Sequence, residues 1–330
     1  MNTKVIKQKM KSVGNIKKIT RTMEMVSVAK MKRATIAAHA YRPFIKSAKY
    51  ILNTLYRDKS TKHILINTKR KSEGLEGENS IKENKDSFRK NRTIVILMAA
   101  NKGLCGGYNA QVYKALSRSL KDIYGKTLAI DKSNISFITI GKYAERMAKK
   151  FNTDIIYSFA KNNISNRESS TIVKEIIKRY QDKDNVVDKV LLIHPYIHIG
   201  MSYSVSVEQL LPYINTSLTP ALSKVEGATS NASAFLPLSI GEGLGVRLAS
   251  NFKYEPDEST IIETVIPIMI EAIITAAALE TEAGEHAARM MAMKTATDNA
   301  GDLLHDLKLT FNNARQAKIT QEIAELSSAA

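Results

Sequence analysis

Acidic side chains are scarce at the front of this 330-residue chain: residues 1–50 hold one, Glu24, against 13 basic groups. Aromatic residues are also few, 6% of the whole with no tryptophan, which argues against an aromatic platform for stacking single-stranded nucleic acid. A single cysteine, Cys105, excludes an intrachain disulfide and any cysteine-rich zinc module, and it fits a reducing compartment. No uncharged apolar run reaches about 18 residues, the length at which a membrane-spanning helix becomes the natural reading. The nearest approach, Ile261 to Leu279, is interrupted by Glu263, Pro267 and Glu271, so nothing is expected to cross a bilayer. The start, Met1 to Val13, is lysine-rich like an organelle presequence, but it lacks arginine and runs straight into a longer helical pattern. It is read as mature protein.

What is present is an ordinary apolar fraction of 44%, enough for a folded core and incompatible with wholesale disorder. The length allows two domains, or one domain with a large appendage. The formal charge of +17 is unevenly spread: residues 255–330 carry 13 acidic and 5 basic groups, the reverse of the first fifty. A basic first helix and an acidic last one attract each other in a shared fold, although most single charges on them read as solvated helix faces.

Residues 3 to about 57 read as one helix, with Ile16, Ile19, Met23 and Val26 as an apolar stripe at helical spacing. Pro43 is expected to bend it or to begin a new helix. Residues 60–92 change character: Lys69 to Asn91 is crowded with Lys, Glu, Asn and Ser, and the stretch reads as a polar, mobile surface insertion. From Thr93 the pattern alternates between strand and helix. Thr93–Ala100, Asn134–Ile140, a short Thr153–Ser158 and Asp188–Ile197 read as strands, with helices following the first two and one at Arg167–Tyr180. Such alternation implies a mostly parallel, doubly wound sheet. A Ser-, Ala- and Gly-rich tract from Leu211 to Asn251 reads as loop with some edge strand.

The last 75 residues are the most regular. Stepping alternately by three and four from Ile262 through Met269, Ala276, Ala283, Met293 and Leu304 to Ala314 meets sixteen positions, of which all but His286 and Thr297 are apolar. A seam sustained over about seven heptads signals a coiled coil. At 1.5 Å per residue the first helix extends about 80 Å and the last about 105 Å, whereas a compact globule of this length is about 50 Å across. Neither fits inside one body. The expected fold is α/β: a long antiparallel coiled coil of N- and C-terminal helices protruding from a Rossmann-like doubly wound domain. The expected divisions are a coiled-coil helix at 1–59, the insertion at 60–92, an α/β base at 93–255 and a second coiled-coil helix at 256–330.

Candidate chemistry is thin. Gly103-Leu-Cys-Gly-Gly107, between strand and helix, could cradle phosphate, but it lacks both the P-loop and the dinucleotide pattern. It reads as a tight turn needing positive φ. Cys105 reads as a packed small side chain rather than a nucleophile. His194 and His198 have no further metal-ligating neighbours in sequence and read as structural. His286 reads as a polar element of the helical seam. No acid–base pair stands out, so no catalytic residue, cofactor or metal is assigned.

Several strings nevertheless resemble a known family. Ile19-Thr-Arg-Thr-Met-Glu-Met-Val26 with Ala29-Lys-Met-Lys-Arg33 is similar to the first-helix signature of F-type ATP synthase gamma subunits. The glycine turn through Asn109 resembles that family's central motif. Glu285 to Met293, Ala296 to Asn299 and Asn313 to Glu322 look like its C-terminal signature. The resemblance implies a bacterial-type rotor shaft, peripheral on the cytoplasmic side of the cell inner membrane. Its partners would be three alpha and three beta subunits around the paired helices, with the epsilon subunit and the c-ring at the base. It would couple ring rotation to conformational changes in the catalytic beta subunits without being an enzyme itself, binding no nucleic acid and meeting the membrane only through the complex.

The resemblance also carries residues. Arg315, Gln316 and Thr320 match positions that contact a beta-subunit loop near the shaft tip; Met23, Lys18, Lys30 and Arg33 match the stretch passing acidic beta-subunit levers; Glu208 falls in the foot region facing epsilon and the c-ring. The chain departs from the family at Asn101, where Asp is usual, at Pro267, and in the length of the 60–92 insertion. Two other readings stand beside this one: a basic coiled-coil protein that binds nucleic acid, and a nucleotide-using α/β enzyme with coiled-coil arms.

Overall fold

A computed structural model describes residues 3–57, 63–66, 92–124, 134–160, 164–182, 187–198, 202–213, 255 and 257–328. Among the described residues ten elements follow in chain order: α1 (Thr3–Arg57), β1 (Thr93–Met98), α2 (Tyr108–Tyr124), β2 (Ile135–Ile140), α3 (Lys142–Phe151), β3 (Asp154–Phe159), α4 (Asn166–Gln181), β4 (Lys189–Ile197), β5 (Tyr203–Leu211) and α5 (Glu258–Ser328). Most of the polar insertion and the whole tract 214–251 lie outside the described residues.

The strands form one sheet in the order β3-β2-β1-β4-β5. The first four are mutually parallel and β5 runs antiparallel beside β4. Strand alternation sends β1 side chains to two cores. Val95, Leu97 and Ala99 pack under α2 and α3 with Val112, Leu116 and Met147. Ile94, Ile96 and Met98 face the other way, onto α4 and α5 and the last turns of α1. Helices thus cover both faces, as a β1 that is buried throughout requires. Residues 64–66 form a turn whose Leu65 and Ile66 enter the second core.

Two helices exceed the base. α1 has 55 residues and α5 has 71, and they run antiparallel: Lys4 shares a groove with Arg315, Thr20 meets Thr297 and Arg42 meets Glu280. None of the sixteen seam positions on α5 is exposed. The apolar stretch of α5 is long enough to cross a bilayer by length and composition, but most of it is buried inside the protein as the core helix of the base.

One of the two alternatives for Pro43 is excluded, and the α1 stripe is corrected. Pro43 begins no new helix but lies inside a continuous one, even though an internal proline removes a hydrogen bond and costs about 3 kcal/mol; tertiary packing on both sides of it outweighs that loss. The stripe Ile16, Ile19 and Val26 is about half exposed. The buried face carries Ile6, Thr20, Ser27, Met31, Ala34 and Ala38 instead. Ile19 and Val26 each precede a seam residue by one position, hence by about 100° around the helix. Between Thr20 and Ala38 the seam is built mainly from small residues, Met31 apart, that let α5 approach closely, while the larger Ile19 and Val26 point outward.

Candidate functional site

In an open α/β sheet, ligands bind beyond the carboxyl ends of the strands, where the strand order reverses. Here that place lies between β1 and β4. It is filled by α5. Ile197 at the end of β4 packs on Ala283 and Ala287, and Ala100 and Cys105 after β1 pack with Tyr108 and Ala288. The Tyr108 ring lies against Gly284, where a Cβ would sit 3.2 Å from it, and its hydroxyl donates to the Thr281 carbonyl at 2.7 Å. The crevice that a nucleotide would need is therefore closed by the protein's own last helix.

The glycine turn is latched there by charge. The Glu285 carboxylate accepts from the backbone N–H groups of Asn101 at 2.8 Å and Lys102 at 3.3 Å. Arg289, one helical turn on, pairs with Glu285 and donates to the Gly103 carbonyl at 3.2 Å. Both side chains are more than nine-tenths buried. A buried ion pair holds only when further hydrogen bonds satisfy its remaining atoms, and the turn's backbone supplies them. Positive φ occurs within the turn at Leu104 (61°) and Gly106 (55°), so a leucine rather than Gly103 takes part of the strain.

Neighbouring titratable groups are held in their uncharged forms. Burial pushes the Cys105 thiol up, and the Glu285 charge adds to it; the side chain is packed in the core, as read from sequence. Burial and then Arg289 push His286 down to about 4. Its Nδ1 accepts from Arg289 at 2.9 Å, consistent with a neutral ring.

A second polar joint ties α1 to the sheet and to α5. Arg42 donates to Glu280 at 3.2 Å and to the Tyr196 hydroxyl at 3.2 Å, with its guanidinium 5.5 Å from the Tyr196 ring centre. Glu280 is buried, and burial raises its carboxyl while Arg42 pulls it down. His194 is buried beside it, pushed down by desolvation. Its Nδ1 is 3.2 Å from the Pro195 carbonyl and 3.8 Å from Glu280, so the neutral ring leaves Arg42 as the cation facing Glu280. His198 pairs with Ser204 at 2.8 Å. Among the described residues no group of His, Cys, Asp and Glu is arranged to hold a metal ion.

The residues carried by resemblance do not gather in one place. Arg315, Gln316 and Thr320 lie near the free end of α5, all exposed, with the Thr320 hydroxyl donating to the Gln316 carbonyl. Lys18, Lys30 and Arg33 are exposed on α1 and Met23 is half-buried; Lys30 also lies close enough to lower the Glu282 carboxyl against the burial that raises it. Glu208 sits on β5 and pairs with Lys49 of α1 at 2.7 Å. Sequence reasoning missed the Glu285–Arg289 latch and the Arg42–Glu280 pair. The available signal was charge placed in an otherwise alanine-rich, buried stretch of α5.

Comparisons agree with this geometry. A family model described as ATP synthase matches residues 2–330. The ATP synthase gamma chain of Halothermothrix orenii is 30% identical over 325 residues, covering 97% of this chain and 95% of its own length. That of Opitutus terrae is 30% identical over 332 residues, covering 99% and 97%. Among solved structures, a chain of the Euglena gracilis mitochondrial ATP synthase OSCP/F1/c-ring in rotational state 3 aligns with a TM-score of 0.56 at 16% identity, covering 99% of this chain and 93% of that one. A chain of the rotor of the same enzyme in rotational state 1 aligns at 0.54 and 15% identity, covering 96% and 98%. At such identities the structures speak for the fold alone. The family match and the full-length relatives go further: this chain belongs to the ATP synthase gamma-chain family.

Proposed function

We propose that the chain is the rotating central shaft of a membrane-associated F-type ATP synthase, transmitting torque between the ion-driven c-ring and the catalytic beta subunits. The observation that carries this is mechanical: two antiparallel helices of 55 and 71 residues, the longer rooted in the core of the α/β base and latched to it through Glu285 and Arg289. A lever can transmit torque only if its base end is fixed, and a helix buried on all sides over Ala272–Ala278 is fixed. The free end supports the partner assignment. Every residue from Arg315 to Ser328 is exposed, leaving Arg315, Gln316 and Thr320 available to a beta-subunit loop.

On the same reading, Lys18, Met23, Lys30 and Arg33 face the acidic levers of the beta subunits, and the region around Glu208 faces epsilon and the c-ring. Catalysis resides in the beta subunits, and the complex sits at the cytoplasmic side of the inner membrane. The filled crevice weighs against the nucleotide-using alternative. Copurification tests the proposal. Tagged chain expressed in its own cells should bring down three alpha and three beta subunits per copy with ATPase activity, while a lone chain or a homodimer would overturn it. The isolated chain should bind neither nucleotide nor DNA; affinity for DNA that falls steeply with salt would favour the nucleic-acid reading instead.

A further inference from the structure

We propose that Arg42 is a cross-brace that carries torque past the weak point of α1, a reading that rests on the rotor role proposed above. Pro43 takes one backbone donor out of α1 and crowds the carbonyl one turn earlier, so the helix is softest there against twisting. Packed stretches hold α1 on either side of it. Below it, Ala48, Leu52 and Leu55 are embedded in the core of the base; above it, Ala38 is buried, and Met31 and Ala34 pack with Ala283 and Ala287 of α5 and with Ile197 at the end of β4. Between these stretches Arg42 spans three elements at once. It donates to Glu280 of α5 and to the Tyr196 hydroxyl of β4, and lies over the Tyr196 ring. The Tyr196 ring is itself held edge-on by His198, at 5.1 Å.

The planar guanidinium suits this task because its donors point in fixed directions, whereas an ammonium is a point charge on a flexible stem. Glu280 is 6% exposed and cannot swing away to water. Lys49 with Glu208, two turns further along α1, ties the same helix to β5. The two cationic side chains are alike in exposure, 38% for Arg42 and 37% for Lys49, but the Glu208 side chain is 31% exposed where that of Glu280 is 8%. That pair therefore grips less firmly at its carboxylate end. Arg42 is thus a positioning residue: it touches no nucleotide and acts by keeping the lower shaft in register with the base.

The test compares ATP hydrolysis with ATP-driven ion pumping in the assembled complex, in inverted membrane vesicles with a potential-sensitive dye. Arg42→Ala should keep hydrolysis within about twofold and lose severalfold in pumping per ATP. Arg42→Ala also strands the buried Glu280 charge, so the deciding variant is the double substitution Arg42→Ala with Glu280→Leu. It removes the stranded charge and leaves the brace missing, and pumping per ATP should stay low. Recovery of full coupling in the double variant would overturn the brace, as would unchanged coupling in Arg42→Ala. Arg42→Lys keeps Glu280 paired and should lie between the wild type and Arg42→Ala; coupling equal to wild type would refute the need for a planar group. A wild-type chain that fails to assemble with alpha and beta subunits would instead sink the rotor reading itself.

Discussion

The two halves of α5 are one continuous helix in opposite surroundings. From Ile262 to Arg289 it is wrapped by α1, α4 and the ends of β1 and β4, and seven consecutive residues, Ala272–Ala278, are buried. From Leu303 onward only the seam is covered, and beyond Ala314 nothing is. A helix buried on every face has no polar side, and one covered along a narrow stripe keeps polar residues around most of its circumference. The contrast separates anchorage from working surface: energy is concentrated where the helix must not move, and exposed side chains lie where partners would pass. Each fully buried Ile or Leu side chain contributes about 1.5–3 kcal/mol, and Ile262, Ile266, Ile270, Ile273 and Ile274 all fall in the anchored half.

The contrast breaks most directly at the latch. Arg289→Ala removes the ion-pair partner of the buried Glu285 carboxylate, and cutting one partner from a buried pair costs about 3–5 kcal/mol. Urea unfolding should show a loss of that size. A loss below about 1 kcal/mol, the range of exposed pairs, would mean that water reaches the site and that the base end is no better anchored than the tip.

Glycines sharpen the same contrast at a smaller scale. Gly284 lies under the Tyr108 ring with Pro195 also near, so Gly284→Leu should overpack the joint and cost about 1–3 kcal/mol. Gly14, on the shaft half of α1, has nothing within 4 Å of a built Cβ. Gly14→Ala should therefore stabilise the helix by up to about 1 kcal/mol. Thermal midpoints moving in the same direction for both variants would contradict the assignment of one site to the packed joint and the other to the open shaft.

Acid acts on the anchored half through His286. Its ring is held down to about 4, against an ordinary 6.5. Below pH 6.5 the unfolded chain takes up a proton that the folded ring refuses, so this contribution is complete above that pH and is lost as pH falls toward 4. His286→Gln removes it, and the variant's unfolding midpoint should decline less than the wild type's between pH 7 and pH 5. Parallel declines would place the acid sensitivity elsewhere, among the carboxylates.

Much of this architecture was legible in the sequence because burial leaves a period. The α5 seam could be counted out to Ala314, and β1, β2 and β4 read as apolar runs because helices cover both their faces. β5 escaped notice. It is an edge strand whose Ser204, Ser206 and Glu208 are not apolar, and its pairing with β4 is antiparallel in an otherwise parallel sheet. The α1 seam was misplaced for a related reason: Thr20, Ser27, Ala34 and Ala38 are small, and hydrophobicity alone ranks Ile19 and Val26 above them. Only half of the latch was within reach: charge in an alanine-rich stretch could flag Glu285 and Arg289, but not what they hold. Glu285 and Arg289 are spaced like an ordinary surface pair on one helix, and nothing local says that their partners are the backbone of residues 101–103, more than 180 positions earlier.

The smallest effect on stability should come from the tip, and it is the most telling for function. Arg315 and Gln316 are exposed and lie beyond the seam; substitutions on such a surface stay within about 0.5 kcal/mol. Arg315→Ala with Gln316→Ala should leave the unfolding curve of the chain unchanged. In the assembled complex the same pair of substitutions should weaken ATP-driven rotation and ATP synthesis, because the free end would meet the beta subunits without its hydrogen-bonding groups. The two readouts move independently only if the anchored and working halves of α5 are separable. Unchanged rotation and synthesis would refute the tip contact, whereas a fall in stability matching that of Arg289→Ala would show the free end to be as much a part of the folded core as the latch.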